Sequence, residues 1–136
     1  MSEKPQFNIA LLSDVETERS LLRALMEFDT DETEMALVKL RDDHFFDEGH
    51  RNIFSVMREL EGRGYRLSVD TVRTEITQRN PSLMDVLRSI VASEPTPLLM
   101  FAVTALSEWY VKREMQKCFI TALNELYNGE SSGFIS

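Results

Sequence analysis

Asp42 to Phe54 reads DDHFFDEGHRNIF and gathers four acids and both histidines of the chain into its first nine residues. Carboxylates and imidazoles are the groups that hold metals and move protons, so this stretch is the first candidate for chemistry. A metal site needs ligands that converge. His44 and His50 stand six apart, not the three or four that would put both on one helix face. A calcium loop would alternate oxygen ligands around a central glycine and close on a glutamate. Here position 44 is His, position 46 is Phe, and Gly49 comes too late. Phe45 and Phe46 anchor inward and hold Asp42 and Asp43 outward. Acids at a helix start have a simpler reason, because they complement the positive end of the helix dipole. The stretch therefore reads as the entry to a helix capped by Asp47, with no metal site at His44, Asp47, Glu48 and His50.

Other chemistries find little support. None of Gly49, Gly62, Gly64, Gly129 and Gly133 is followed by Lys-Ser or Lys-Thr. The chain thus lacks a phosphate-cradling Walker loop, and no dinucleotide fingerprint occurs. No cofactor is expected. Cys118 falls mid-helix on an apolar side and reads as a small buried hydrophobe. Being the only cysteine, it excludes an internal disulfide and fits a reducing compartment. The net charge of -8, with Lys and Arg scattered, argues against a nucleic-acid-binding face. MSEKPQFNIA is no signal peptide. The longest apolar run, LLMFAV from Leu98 to Val103, is far short of the roughly 20 residues that span a bilayer. A cytoplasmic, membrane-free, non-enzymatic protein is expected.

The elements that must position these residues are all helical. Residues 1–12 read as a loose tail and 13–95 as a helical head. Ser13, with Glu16 three residues on, caps a first helix carrying Leu21, Leu22, Leu25, Met26 and Phe28. Asp31 and Glu34 repeat the spacing for a short second helix with Met35, Leu37, Val38 and Leu40. Asp47 opens a third, with Ile53, Phe54, Met57 and Leu60, ended by Gly62 or Gly64. Ser68 caps a fourth, with Val69, Val72 and Ile76. Ser82 caps a fifth, with Leu83, Val86, Leu87, Ile90 and Val91. SEPTP then punctuates the chain, with Thr96 as N-cap and Pro97 as first helical residue. A long helix over 96–128 comes next, its pattern running to Tyr127, and 129–136 reads as a tail. No segment reads as a strand. The fold class is all-α: a head of about five short helices, then one long helix.

The apolar face of the long helix turns. Leu98, Leu99, Ala102, Ala105, Leu106, Trp109 and Tyr110 point one way, while Met115, Phe119, Ala122, Leu123 and Leu126 point roughly 120° away. Either the helix is wrapped on two sides by its own domain, or its second half reaches another partner. The expected protein interface comprises Trp109, Tyr110, Met115, Phe119, Leu123 and Leu126.

DDHFFDEGHRNIFSVMREL resembles the D-F-(Y/F)-x-x-x-H-R-x-I-F pattern in the N-terminal domain of DnaB-type replicative helicases. VETERSLLRALM resembles that family's first helix with its E-x-E core. RGYRLSVDTVRTEI is similar to its G-x-P-(I/V)-D segment, and VASEPTPLLMFAVTALSEWYVKREM to its N-T-P stretch ending in R-E. The four pieces occur in order, and the resemblance covers about Val15 to Leu126. Departures are Arg66 for the family's Pro, Ser68 for its Asp and Ser93 for its Asn. The family's second long helix, which closes a hairpin, has no counterpart before NGESSGFIS, as expected either of a fragment cut before that arm or of a natural short relative.

The resemblance implies a non-catalytic collar domain that pairs into homodimers, builds a hexameric ring and docks primase, with a helicase loader as a further partner. It makes the long helix the first arm of a hairpin and favours the reading of its far half as an interface. It also makes His50 and Arg51 the family's H-R pair at the start of a structural helix. A second functional class stays open: a stand-alone phage or plasmid regulator that mimics this domain and binds primase or helicase. A third reading, the helicase-binding domain of primase, shares a similar helical fold, but HRNIF and VDTV point away from it.

Overall fold

The order of caps and apolar stripes is realised as six α-helices, with no strand, in a computed structural model that describes residues 14–132. They are α1 Val15–Glu27, α2 Asp31–Lys39, α3 Glu48–Gly62, α4 Val69–Arg79, α5 Met84–Val91 and α6 Leu99–Ser132. Short 3₁₀ turns at Asp42–His44 and Pro81–Leu83 precede α3 and α5. No helix among the described residues is long and apolar enough to cross a membrane.

Most of these helices start where a side-chain oxygen can accept an orphan amide. Asp47 accepts from the His50 amide, and Ser68 from the Thr71 amide, both as expected. Elsewhere the cap shifts. Ser13 lies outside the described residues, and Asp14 caps α1 by accepting from the Thr17 amide. Thr30, not Asp31, caps α2 through the Thr33 amide. Ser82 does not cap α5. The 3₁₀ turn runs straight into that helix, and the Ser82 hydroxyl donates to Asn80 instead. Thr96 accepts from the Leu98 amide two residues on, so its turn precedes α6, which begins at Leu99 rather than at Pro97. α3 ends in a Schellman motif. The Tyr65 amide donates to the Leu60 carbonyl and the Gly64 amide to that of Glu61, with Gly64 at φ +87°.

The core sits around α1, which packs on α3, α5 and α6. Leu21, Leu22, Leu25, Phe45, Ile53, Phe54, Ile76, Leu87, Ile90 and Leu106 are fully buried there. The Phe45 and Phe54 rings meet at 5.0 Å. Gly49 lets the first turn of α3 close on α5, since a Cβ there would come within 2.8 Å of Val86. α2 contributes only one edge. Ala36, Leu37 and Leu40 are buried, while Met35 and Val38 are exposed, against expectation. Nine residues of helix lying on a surface have one inward side, and those two point away from it.

The link into α6 is tied to α1. The Ser20 hydroxyl donates to the Glu94 carbonyl at 2.5 Å, and the Thr96 amide to the Ser20 carbonyl at 3.2 Å. α6 then packs on α1, α2 and the Asp42–His44 turn. It runs through Asn128 and Gly129, beyond the stop that the sequence pattern suggested. Its 34 residues make roughly 51 Å of helix.

Candidate protein interface

The histidine-acid stretch resolves into a structural pin, and its key partner comes from another helix. Glu18 on α1 is buried, and its carboxylate accepts three hydrogen bonds. The Phe46 amide donates at 2.7 Å, the Asp47 amide at 3.3 Å and the His50 Nδ1–H at 2.8 Å. These donors belong to the turn before α3 and to its first residues, so one carboxylate fastens α1 to the start of α3. A buried carboxylate–imidazole pair can serve catalysis, but that use requires access to substrate. Glu18 is 1% exposed and His50 2%. Asp42 and Asp43 face water, and among the described residues no three metal-ligating side chains converge.

His44 fastens the same turn to α6. Its Nδ1 accepts the Arg41 amide at 3.2 Å, and its ring meets Tyr110 edge-on at 5.1 Å. Burial lowers its pKa below the ordinary 6.5, and the neighbouring Arg41 and Arg113 charges push the same way against Asp43. From α6, the buried Arg113 donates through Nη2 to the His44 carbonyl at 3.1 Å and lies over the Phe46 ring. Burial lowers the pKa of this guanidinium, with Arg51 adding repulsion and Glu18 opposing. The apolar face of α6 turns near Arg113, which is buried against the Asp42–His44 turn, and past it the head ends.

Beyond Arg113 no side chain of α6 with described burial is buried. Val111, Met115, Phe119, Leu123 and Tyr127 stand four residues apart, forming a continuous apolar ridge. They are between 39% and 71% exposed. Ile120 and Leu126 flank the ridge, also exposed. Large apolar side chains in a contiguous exposed strip mark an interaction surface. Cys118, expected to be buried, is exposed beside the strip, because no element of the head reaches that far along α6.

Of the residues expected at an interface, Met115, Phe119, Leu123 and Leu126 lie on this bare part of α6. Trp109 and Tyr110 are half-buried nearer the head, and Tyr110 is engaged with His44 and with Arg41, 5.1 Å from its ring. Val111, Ile120 and Tyr127 were not in the expected set, although the four-residue spacing of the ridge was visible. Glu18 and Arg113 gave less signal, since a charged residue in an amphipathic helix ordinarily faces solvent.

A family model described as the DnaB-like helicase N-terminal domain matches residues 10–101. The match ends just inside α6, so it covers the head and leaves the bare ridge outside. Among solved structures, the N-terminal domain of DnaB helicase from Mycobacterium tuberculosis has the same fold. Its TM-score is 0.74 at 20% identity, over 86% of this chain and 86% of that one. No curated protein sequence matches.

Proposed function

The chain belongs to the family of DnaB-like helicase N-terminal domains, and from that membership we propose a non-catalytic assembly module of a replicative DNA helicase, one that scaffolds the hexamer and docks primase. A cytoplasmic setting goes with that role. The observation that carries this reading is the bare ridge of α6. Fully burying each of its large side chains is worth roughly 1.5–3 kcal/mol. A second copy is the simplest cover, because a two-fold axis lets one apolar surface satisfy itself. An axis passing by Phe119 sets Met115 against Leu123 of the second copy, with Val111 and Tyr127 flanking that contact, apolar throughout. Two ridges of four-residue spacing pack at roughly 50°.

Sedimentation of the whole chain tests the pairing. The wild type is expected to dimerise with rising concentration. The double variant Phe119→Glu, Leu123→Glu is expected to stay monomeric with its helical circular dichroism retained. A wild type that remains monomeric at high concentration overturns the reading, and so does a collapse of helicity in the variant, which would place those residues in the domain's own core. Primase docking is read separately, by calorimetric titration of the chain with the helicase-binding domain of primase. No ATP turnover should track with the chain, since no glycine loop in it cradles phosphates.

A further inference from the structure

Midway along α6, on a side away from the ridge, a cleft of about 440 Å³ opens between α3, α6 and the turn before α3. Phe46, Arg51, Tyr110, Arg113, Glu114 and Lys117 line it. Its three cations outnumber the two carboxylates, Asp43 and Glu114, that also line it, in a chain of net charge -8. Asp43 pairs with Arg41 at 3.1 Å, and Glu114 with Lys117 at 3.0 Å. Glu18 spends its oxygens on the start of α3. Half-buried Arg51 meets no side-chain hydrogen-bond or ion-pair partner among the described residues. Its charge opposes that of Arg113 and helps, beside burial, to lower the pKa of that guanidinium. Like charges held across a cleft favour whatever anion bridges them.

We propose that this cleft binds an oxyanion carried on an aromatic body, and that its occupant is the carboxylate of an acidic-aromatic peptide segment of a partner protein. Arg51 grips the carboxylate, Lys117 turns to it from its solvent-exposed pairing with Glu114, and the ring lies against Phe46 and Tyr110. A guanidinium fork suits a planar carboxylate, and aromatic walls suit a ring beside it. Nucleic acid is the poorer occupant. A long polyanion meets the repulsion of the whole acidic chain, whereas one carboxylate responds to the local field within about a Debye length of 8 Å. The site does not depend on pairing through α6 and would persist in a monomer.

The test titrates the whole chain, followed by ¹H–¹⁵N NMR, with three probes: a capped Glu-Trp-Glu peptide, its Gln-Trp-Gln counterpart and sodium phosphate. Saturable shifts at Phe46, Arg51 and Tyr110 are expected with the acidic peptide. Binding should weaken by about tenfold with the amide peptide and in Arg51→Gln, the scale for losing a hydrogen bond to a charged group. If Arg51→Gln disturbs the fold by circular dichroism, the exposed Lys117→Gln is read in its place, with the same loss expected. Equal binding of the two peptides overturns the proposal, as does unchanged affinity in the variant read. Saturation by phosphate without response to the peptide assigns the cleft to a free anion and overturns the polypeptide occupant.

Discussion

At the scale of residues, the molecule uses polar side chains inside the head as fasteners. Glu18 holds three donors, and deleting its carboxylate leaves His50 and two backbone amides to find others. Buried unsatisfied donors cost about 1–3 kcal/mol each, more beside a charge. Glu18→Ala is therefore expected to lower unfolding free energy by about 3 kcal/mol or more by urea denaturation. Combined with His50→Ala, the two losses should fall short of additive, as for any directly bonded pair. A loss in Glu18→Ala within that of an ordinary surface substitution would remove the fastener role. His44 adds a pH dependence whose sign is set by its environment. Its pKa is lowered in the folded chain, so the unfolded chain takes up a proton that the folded one resists. That contribution is fully present above the unfolded value of 6.5 and is lost as the pH falls from there toward the folded pKa. In His44→Asn, whose amide oxygen can stand where Nδ1 accepts the Arg41 amide, the decline of stability below pH 6.5 should be shallower than in wild type. Identical slopes would show that His44 does not contribute.

Among elements, legibility tracked chemistry that is local. Asp47 and Ser68 were recognisable as caps because the oxygen and the amide it serves sit within one turn. The end of α3 was recognisable because only glycine enters the left-handed region cheaply. Ser82 misled because Pro81 starts a 3₁₀ turn that feeds α5 directly, leaving no orphan amide for it to serve. Met35 and Val38 misled because an apolar residue in a short helix looks the same whether it faces the core or water. The Glu18–His50 pin lies 32 residues apart in sequence, and no spacing rule reaches that far. The interface was half legible. The change of face along α6 was visible, whereas the roles of Tyr110 and Arg113 depended on where the Asp42–His44 turn docks. The two glycines at the end of α3 give a paired test. Gly64→Ala forces a Cβ into φ +87° and should cost about 1 kcal/mol. Gly62→Ala lies in the helix with open space around it and should be neutral or stabilise by about 0.4–1 kcal/mol, because alanine restricts the unfolded chain. A similar loss in both, measured by thermal denaturation, would contradict this account of the helix end.

Taken as a whole, the molecule divides its labour along α6. Every residue of the apolar core lies at or before Leu106, and the last buried side chain with described burial is Arg113. From Arg113 to Ser132 the helix extends roughly 28 Å further, at 1.5 Å per residue, and its apolar side chains there meet water. The packed first half of α6 supplies the nucleus, so the second half continues the helix without a nucleation cost, and what association adds is the burial of its apolar side chains. Far-UV circular dichroism should therefore change little as concentration rises through the dimerisation range, in the wild type as in Phe119→Glu, Leu123→Glu, while sedimentation separates the two. Ending the chain after Gln116 separates the two halves. The shortened protein keeps the core and both fasteners, so its unfolding free energy, measured where the wild type is monomeric, should fall by less than about 1 kcal/mol, the scale of lost surface interactions. It should sediment as a monomer at concentrations where the wild type is dimeric. An unfolded product would mean that the distal helix supports the head, and a dimeric one would move the self-association surface onto the head itself.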